Sequence, residues 1–271
     1  MNAAGRAVRV AAVQTVSGGD VARNLAAVEP LIVAAKDQGA LLVVLPEYFG
    51  IFGVRATDKI AAREADGDGP QQAFLERVAR ELGIWLIGGT VPIATADPAR
   101  VRSASLVYDP QGRRVARYDK IHLFAFSHGD ERYDEAQTIE RGDAPAAFEA
   151  PCGRVGLSVC YDLRFPELYR SLGDVALIVV PSAFTAVTGA AHWHVLLRAR
   201  AIENQCYVLA AAQGGVHANG RRTYGHSVLI DPWGLVLAEL AEGAGTIVGD
   251  VDPARIEEVR RELPALAHRR F

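Results

Sequence analysis

Apolar residues in this chain fall into short unbroken runs separated by longer amphipathic stretches, and the two kinds alternate from the start. Val8 to Val16 is rich in β-branched residues and reads as a strand. Asp20 can cap the helix that follows, whose pattern runs to Lys36 and stops at Gly39. Ala40 to Leu45 is apolar throughout, as expected of a strand buried on both faces. A second helix is predicted over Gln71 to Leu82, closed by Gly83, and a strand over Ile84 to Val91. The middle changes character. Ser103 to Tyr108 and Arg114 to Tyr118 flank Asp109-Pro110-Gln111-Gly112, a turn composition, and predict a hairpin. Segment 125–147 is polar, shows no clear period and reads as a long loop, a feature that is usually functional in a compact fold.

Alternation resumes with a strand at Val155 to Val159, a helix from Pro166, a strand at Ala176 to Val180 and a helix over about Ala191 to Asn204. Tyr207 to Ala211 precedes a second hairpin, Ser227 to Leu240, turning at Asp231-Pro232-Trp233-Gly234. Gly245 to Val251 and a helix from Pro253 complete the pattern. No linker, low-complexity tract or charge block divides the chain, so residues 1–271 read as one domain. Strands alternating with helices and hairpins mean mixed sheets covered by helices. A four-layer αββα sandwich fits, and so does one large mixed sheet.

Composition narrows the partners. With 29 basic and 32 acidic residues, the formal net charge of −3 gives no electrostatic reason to expect nucleic acid or an anionic membrane. The longest apolar run, Ala40 to Pro46, is too short to cross a bilayer. Met1 to Val10 shows no apolar segment of an export signal. Three widely spaced cysteines, Cys152, Cys160 and Cys206, argue against a disulfide framework and suit the cytoplasm.

Three ionisable residues stand where strands end. Glu47 follows the buried run in Leu-Pro-Glu-Tyr-Phe, Lys120 lies just past the first hairpin, and Cys160 closes Val-Gly-Leu-Ser-Val before a turn into a helix. Strand ends are where α/β folds form ligand crevices. Taken singly, these are more often a solvated acid, a surface charge and a small core residue. Taken together, their chemistry fits. A thiol needs a base or a nearby cation to attack at neutral pH, a glutamate can move its proton, and a lysine can stabilise an oxyanion.

In order, Leu-Pro-Glu-Tyr-Phe, Asp-Lys-Ile-His-Leu-Phe and Cys-Tyr-Asp-Leu-Arg-Phe-Pro-Glu closely resemble the three signatures of the nitrilase superfamily of carbon–nitrogen hydrolases, and the likeness covers nearly the whole chain. The resemblance implies an αββα sandwich and a Glu47–Lys120–Cys160 triad working through a thioester, with neither a metal nor another cofactor. A homodimer or larger homo-oligomer is implied too, with Ile202, Tyr207 and Val208 in the region where sandwiches stack. A second active-site glutamate is implied in the loop after the lysine. Glu135 aligns best and Glu131 competes.

The C-terminal half, including Thr-Gly-Ala-Ala-His-Trp-His and Ala-Ala-Ala-Gln-Gly-Gly-Val-His, is similar to the deaminated-glutathione amidase branch and slightly less so to the ω-amidases. That implies a small amide substrate bearing a carboxylate. Arg164 is then placed to hold the carboxylate, beside Tyr161, with Phe184 and Thr188 lining the acyl pocket. N-carbamoyl amino acids and nitriles remain open as substrates.

Other readings are weaker. His192 and His194 lie two apart, which suits a metal poorly. A papain-like pair of Cys160 with His192 or His226 leaves Glu47 and Lys120 without roles. An inactive interaction module would be marked by a lost triad residue, and all three are present.

Overall fold

The computed structural model describes residues 6–128 and 131–270, without the side chains of His128 and Glu131. Residues 1–5, part of the segment searched for an export signal, therefore lie outside the described residues, as does the Glu131 side chain proposed as the alternative second glutamate. The first half of the chain contributes β1 (Val8–Gln14), α1 (Val21–Asp37), β2 (Leu42–Val44), α2 (Asp58–Ala61), α3 (Pro70–Leu82), β3 (Trp85–Ile87), β4 (Val91–Ala94), β5 (Val101–Tyr108) and β6 (Arg114–Asp119). A small hairpin, β7 (Ala125–His128) and β8 (Glu131–Asp134), follows. The second half runs β9 (Ala147–Ala150), β10 (Gly153–Leu157), α4 (Pro166–Ser171), β11 (Leu177–Val179), α5 (Ala186–Asn204), β12 (Tyr207–Ala210), β13 (Ser227–Ile230), β14 (Val236–Leu240), β15 (Gly245–Val251) and α6 (Pro253–Glu262).

Apart from the β7–β8 hairpin, which stands as a separate two-stranded sheet, these strands form two mixed sheets. In one, β1, β2 and β3 are parallel neighbours, with β15 antiparallel at one side and β5 antiparallel at the other. In the other, β10, β11 and β12 are the parallel centre, flanked by β9 and by the β13–β14 hairpin. Period-two alternation divides the core. Val8, Val10 and Ala12 of β1, with Leu42 and Val44 of β2, join a buried cluster with Val155, Leu157 and Leu177 of the second sheet. Ala11, Val13 and Val43 point the other way, onto Val28 and Ile32 of α1 and Phe74 and Val78 of α3. Helices α4 and α5 supply Tyr169, Trp193 and Leu197 to the second sheet. The layers are thus helix, sheet, sheet, helix, the αββα sandwich.

The structure differs from the sequence expectation in four places. The strand predicted over Ile84 to Val91 is interrupted at Gly88–Thr90 and resumes as β4, with β3 and β4 both pairing β5. Gly89 takes a φ of 39°, and a Cβ there would meet the Pro46 carbonyl oxygen at 1.9 Å, so the bend depends on glycine beside the Glu47 turn. Segment 125–147 is not one loop but the β7–β8 hairpin, a 3₁₀ turn at Glu135–Gln137 and the start of β9. Helix α5 begins five residues early, where the Thr185 hydroxyl caps the Thr188 N–H. Gly189 inside it accommodates Tyr224, which a Cβ would approach to 2.3 Å. Finally, Tyr207 and Val208 are buried, so of the three residues expected at a stacking surface only Ile202 is exposed.

Candidate active site

Parallel strands of both sheets end at the same place. Bridges between Thr15 and Gln213 and between Ser182 and Ala212 tie the segments after β1, β11 and β12 together, and Glu47 and Cys160 emerge beside them from β2 and β10. Cys160 opens a 3₁₀ turn, Cys160–Arg164, with its own backbone in the left-handed region at φ 49°. A non-glycine residue held there is strained and needs surrounding bonds to fix it. They are present. Cys160 N–H donates to Pro181 O at 2.9 Å. The fully buried Asp162 carboxylate accepts from Val159 N–H at 2.8 Å, Tyr118 O–H at 2.7 Å and His122 N–H at 3.0 Å, clamping the turn to the segment that carries Lys120. Replacing Asp162 by alanine would leave those donors buried without an acceptor. A loss of about 3–5 kcal/mol of stability in urea denaturation is expected, together with slower turnover.

Lys120 is completely buried and lies between two carboxylates. Its Nζ is 2.8 Å from Glu47 Oε1 and 2.7 Å from Glu135 Oε2. Glu47 Oε2 accepts the Ala183 N–H at 2.9 Å. Glu135 also accepts Phe124 N–H at 2.7 Å and Tyr48 O–H at 2.7 Å. The β7–β8 hairpin explains how residue 135 reaches residue 124: pairing of Ala125 with Asp134 sets the next two residues opposite each other.

Electrostatics separates the two acids. Burial raises the Glu47 carboxyl above the ordinary glutamate value; the Lys120 ammonium opposes this without cancelling it, and Glu135 adds a smaller repulsion. Glu135 is mostly shielded as well, with its side chain 13% exposed, but Lys120, its hydrogen bonds and Lys59 hold it below the ordinary value. The pair therefore sorts into one carboxyl suited to taking and releasing a proton and one that stays anionic. Burial and then Glu47 push the Cys160 thiol well up. Lys120 is raised well above its ordinary value despite burial, because both carboxylates favour its charge, so it is a fixed ammonium.

Glu47, Glu135, Cys160, Tyr161, Arg164, Phe184, Thr188 and Arg221 line one narrow pocket. The sequence-derived site residues other than Lys120 are all in this lining, and Lys120 lies directly behind its two acids. Arg164 lies over the rings of Tyr161 and Phe184, 5.7 and 5.4 Å from their centroids, and its Nη1 is 3.2 Å from His192 Nδ1. Among the described residues no acid pairs with it. Neither His192 nor His226 lines the pocket. His226 instead meets Glu239 together with His194, whose Nε2 is 2.8 Å from that carboxylate. A papain-like pair with Cys160 has no geometric basis here.

The family pattern for carbon–nitrogen hydrolases matches residues 9–261. This chain belongs to the carbon–nitrogen hydrolase family. It is an enzyme that hydrolyses carbon–nitrogen bonds other than peptide bonds. It is 40% identical to a deaminated glutathione amidase of Yersinia enterocolitica over 269 residues, 97% of this chain and 93% of the relative. Nit3 of Saccharomyces cerevisiae, a member of branch 10 of the nitrilase superfamily, superposes with a TM-score of 0.87 at 30% identity, covering 99% of this chain and 98% of that one. The NitFhit protein of Caenorhabditis elegans gives a TM-score of 0.90 at 37% identity, covering 99% of this chain and 66% of that longer protein.

Several residues that complete the site in this carbon–nitrogen hydrolase escaped the sequence reading. Tyr48 and Asp162 sit inside the quoted motifs but carry no pattern that reveals their partners. Gln213 donates to the Glu47 carbonyl at 3.0 Å and thereby holds the turn after β2, although it is 166 residues away in sequence. Arg221, in a turn with no regular element, lines the pocket mouth.

Proposed function

We propose that this enzyme is an amidase acting through Cys160, Glu47 and Lys120 on a small amide whose acyl part ends in a carboxylate, with deaminated glutathione as substrate and 2-oxoglutarate and Cys-Gly as products. Both the thiol and Glu47 hold protons more firmly than usual, so no standing thiolate is required. Glu47 takes the proton as sulfur attacks the amide carbon. The Lys120 ammonium and the N–H of Tyr161, at the open first turn of the 3₁₀ segment, receive the developing oxyanion. Glu47 returns the proton to the leaving amine, and the carbon–nitrogen bond breaks. It then deprotonates the water that hydrolyses the thioester. Glu135 keeps Lys120 charged and oriented.

Arg164 carries the substrate assignment: a guanidinium with no acid partner among the described residues, over two aromatic rings and in the same narrow pocket as the nucleophile. Arg164→Met should cost about 2–5 kcal/mol in kcat/KM for deaminated glutathione and little for an uncharged amide. Equal losses on both would show that Arg164 only braces the Cys160 turn. Faster turnover of α-ketoglutaramate than of deaminated glutathione would move the enzyme to the ω-amidases.

Assembly into a homodimer or larger homo-oligomer belongs to the same reading. Val195 and Ile202 on α5 are exposed one heptad apart, and Trp233 and Leu235 are exposed in the β13–β14 turn that packs beside Ile202. Light scattering at micromolar concentration should give at least a dimer, and a monomer would reject it. Three free cysteines favour a reducing compartment, the cytoplasm. No helix among the described residues is long and apolar enough to cross a membrane.

A further inference from the structure

Past Tyr48, Phe124, Glu135 and Arg221, the pocket around Cys160 opens into a cleft of about 1020 Å³. Residues 51–56, Lys59 of α2, the β7–β8 hairpin and the 219–221 turn wall this cleft. Arg221 stands where the two spaces meet. Its guanidinium is 5.2 Å from the Phe52 ring centroid and 4.6 Å from that of Tyr133, which fixes its plane. Among the described residues no acid pairs with it, and its one side-chain hydrogen bond is a long contact to Ala183 O at 3.5 Å. The Arg221 Nε–H is buried with no acceptor among the described residues. Buried donors are nearly always satisfied in folded proteins, and an orphan at a cavity wall points to an acceptor supplied from outside. Lys59 faces the same cleft, and among the described residues it donates to Thr138 Oγ1 alone, at 3.1 Å.

We propose that Arg221, backed by Lys59, seats a carboxylate carried by the leaving amine, making the outer cleft a subsite for a dipeptide-sized amine with a free carboxyl end. The direction follows from the two ends of the site. Arg164, Phe184 and Thr188 close the narrow end, so a short acyl part anchored there leaves the rest of the substrate only the open cleft to occupy. The assignment of sides rests on the acyl role of Arg164 proposed above. An ammonia-releasing amide would leave the cleft, with Arg221 and Lys59, unused.

Two measurements test this separately from the acyl assignment. The first compares deaminated glutathione with its analogue ending in a carboxamide. Wild-type enzyme should prefer the acid by about 10–100-fold in kcat/KM, Arg221→Met should lose the preference, and Arg221→Lys should keep part of it. The second uses calorimetry on Cys160→Ala with cysteinylglycine and cysteinylglycinamide, which requires no turnover. The free acid should bind about 10–100-fold more tightly, and adding Arg221→Met should abolish the difference. If no α-keto amide is turned over, the acyl reading fails while the calorimetry still reports on Arg221. Equal binding of the two dipeptides to Cys160→Ala, or an unchanged acid preference in Arg221→Met, would overturn the leaving-group seat.

Discussion

Cys160→Ala is expected to abolish turnover, by about 10⁶-fold if the loss resembles removal of a nucleophile from other covalent hydrolases. The fold should survive. Alanine keeps the Cβ, so the left-handed backbone at φ 49° is no more strained than before, and the bonds from Pro181 and Asp162 that fix the turn do not involve the sulfur. Only a small buried atom is lost, worth about 1 kcal/mol. Alkylation by iodoacetamide discriminates further. Burial pushes Cys152 up to about 11 and Cys206 up to about 12, and neither lines the pocket that holds Glu47. Cys160 is also raised, yet it faces the cavity with Glu47 alongside to take the proton. Mass spectrometry should find it modified first, with activity lost in step. Activity lost through Cys206 would reject the assignment.

The features most legible in the sequence were those encoded locally. Continuous apolar runs such as Ala40 to Leu45 announced strands covered on both faces, and β2 lies there between two cores. Glu47, Lys120 and Cys160 stood out because each follows a strand within a short dense motif. What stayed hidden depends on pairing across the chain. The β7–β8 hairpin has a polar, aromatic-rich sequence without clean alternation, and its purpose is visible only when Glu135 meets Phe124 and Lys120. Gln213 and Arg221 act through contacts with residues dozens to more than a hundred positions away, and no period or turn signal marks them. Tyr207 and Val208, placed in the region where sandwiches stack, are buried within the chain itself, and an apolar strand reads alike whether its outer face meets a partner or its own helix.

Lys120→Ala should lower kcat by about 10²–10³ or more and also destabilise the fold. The ammonium is the shared counter-charge of two buried carboxylates, and removing it leaves Glu47 and Glu135 facing each other. Breaking such a buried pair costs about 3–5 kcal/mol. The pH dependence has a definite sign. Without Lys120, burial and mutual repulsion raise the carboxyls above their unfolded values. The protonated folded form is then favoured, so stability is retained below the unfolded value and lost as pH rises through the folded one. Urea denaturation should show the variant nearest to wild type at about pH 5 and furthest from it at about pH 8. Adding Glu135→Gln to Lys120→Ala removes one unpaired charge and should recover part of the stability but none of the turnover, because the oxyanion still lacks its cation. Lys120→Arg should fail as well: a planar guanidinium does not fit a fully buried site shaped for a compact ammonium. A near-wild-type kcat in Lys120→Ala, or a stability deficit independent of pH, would mean that the lysine neither holds the oxyanion nor balances the two acids.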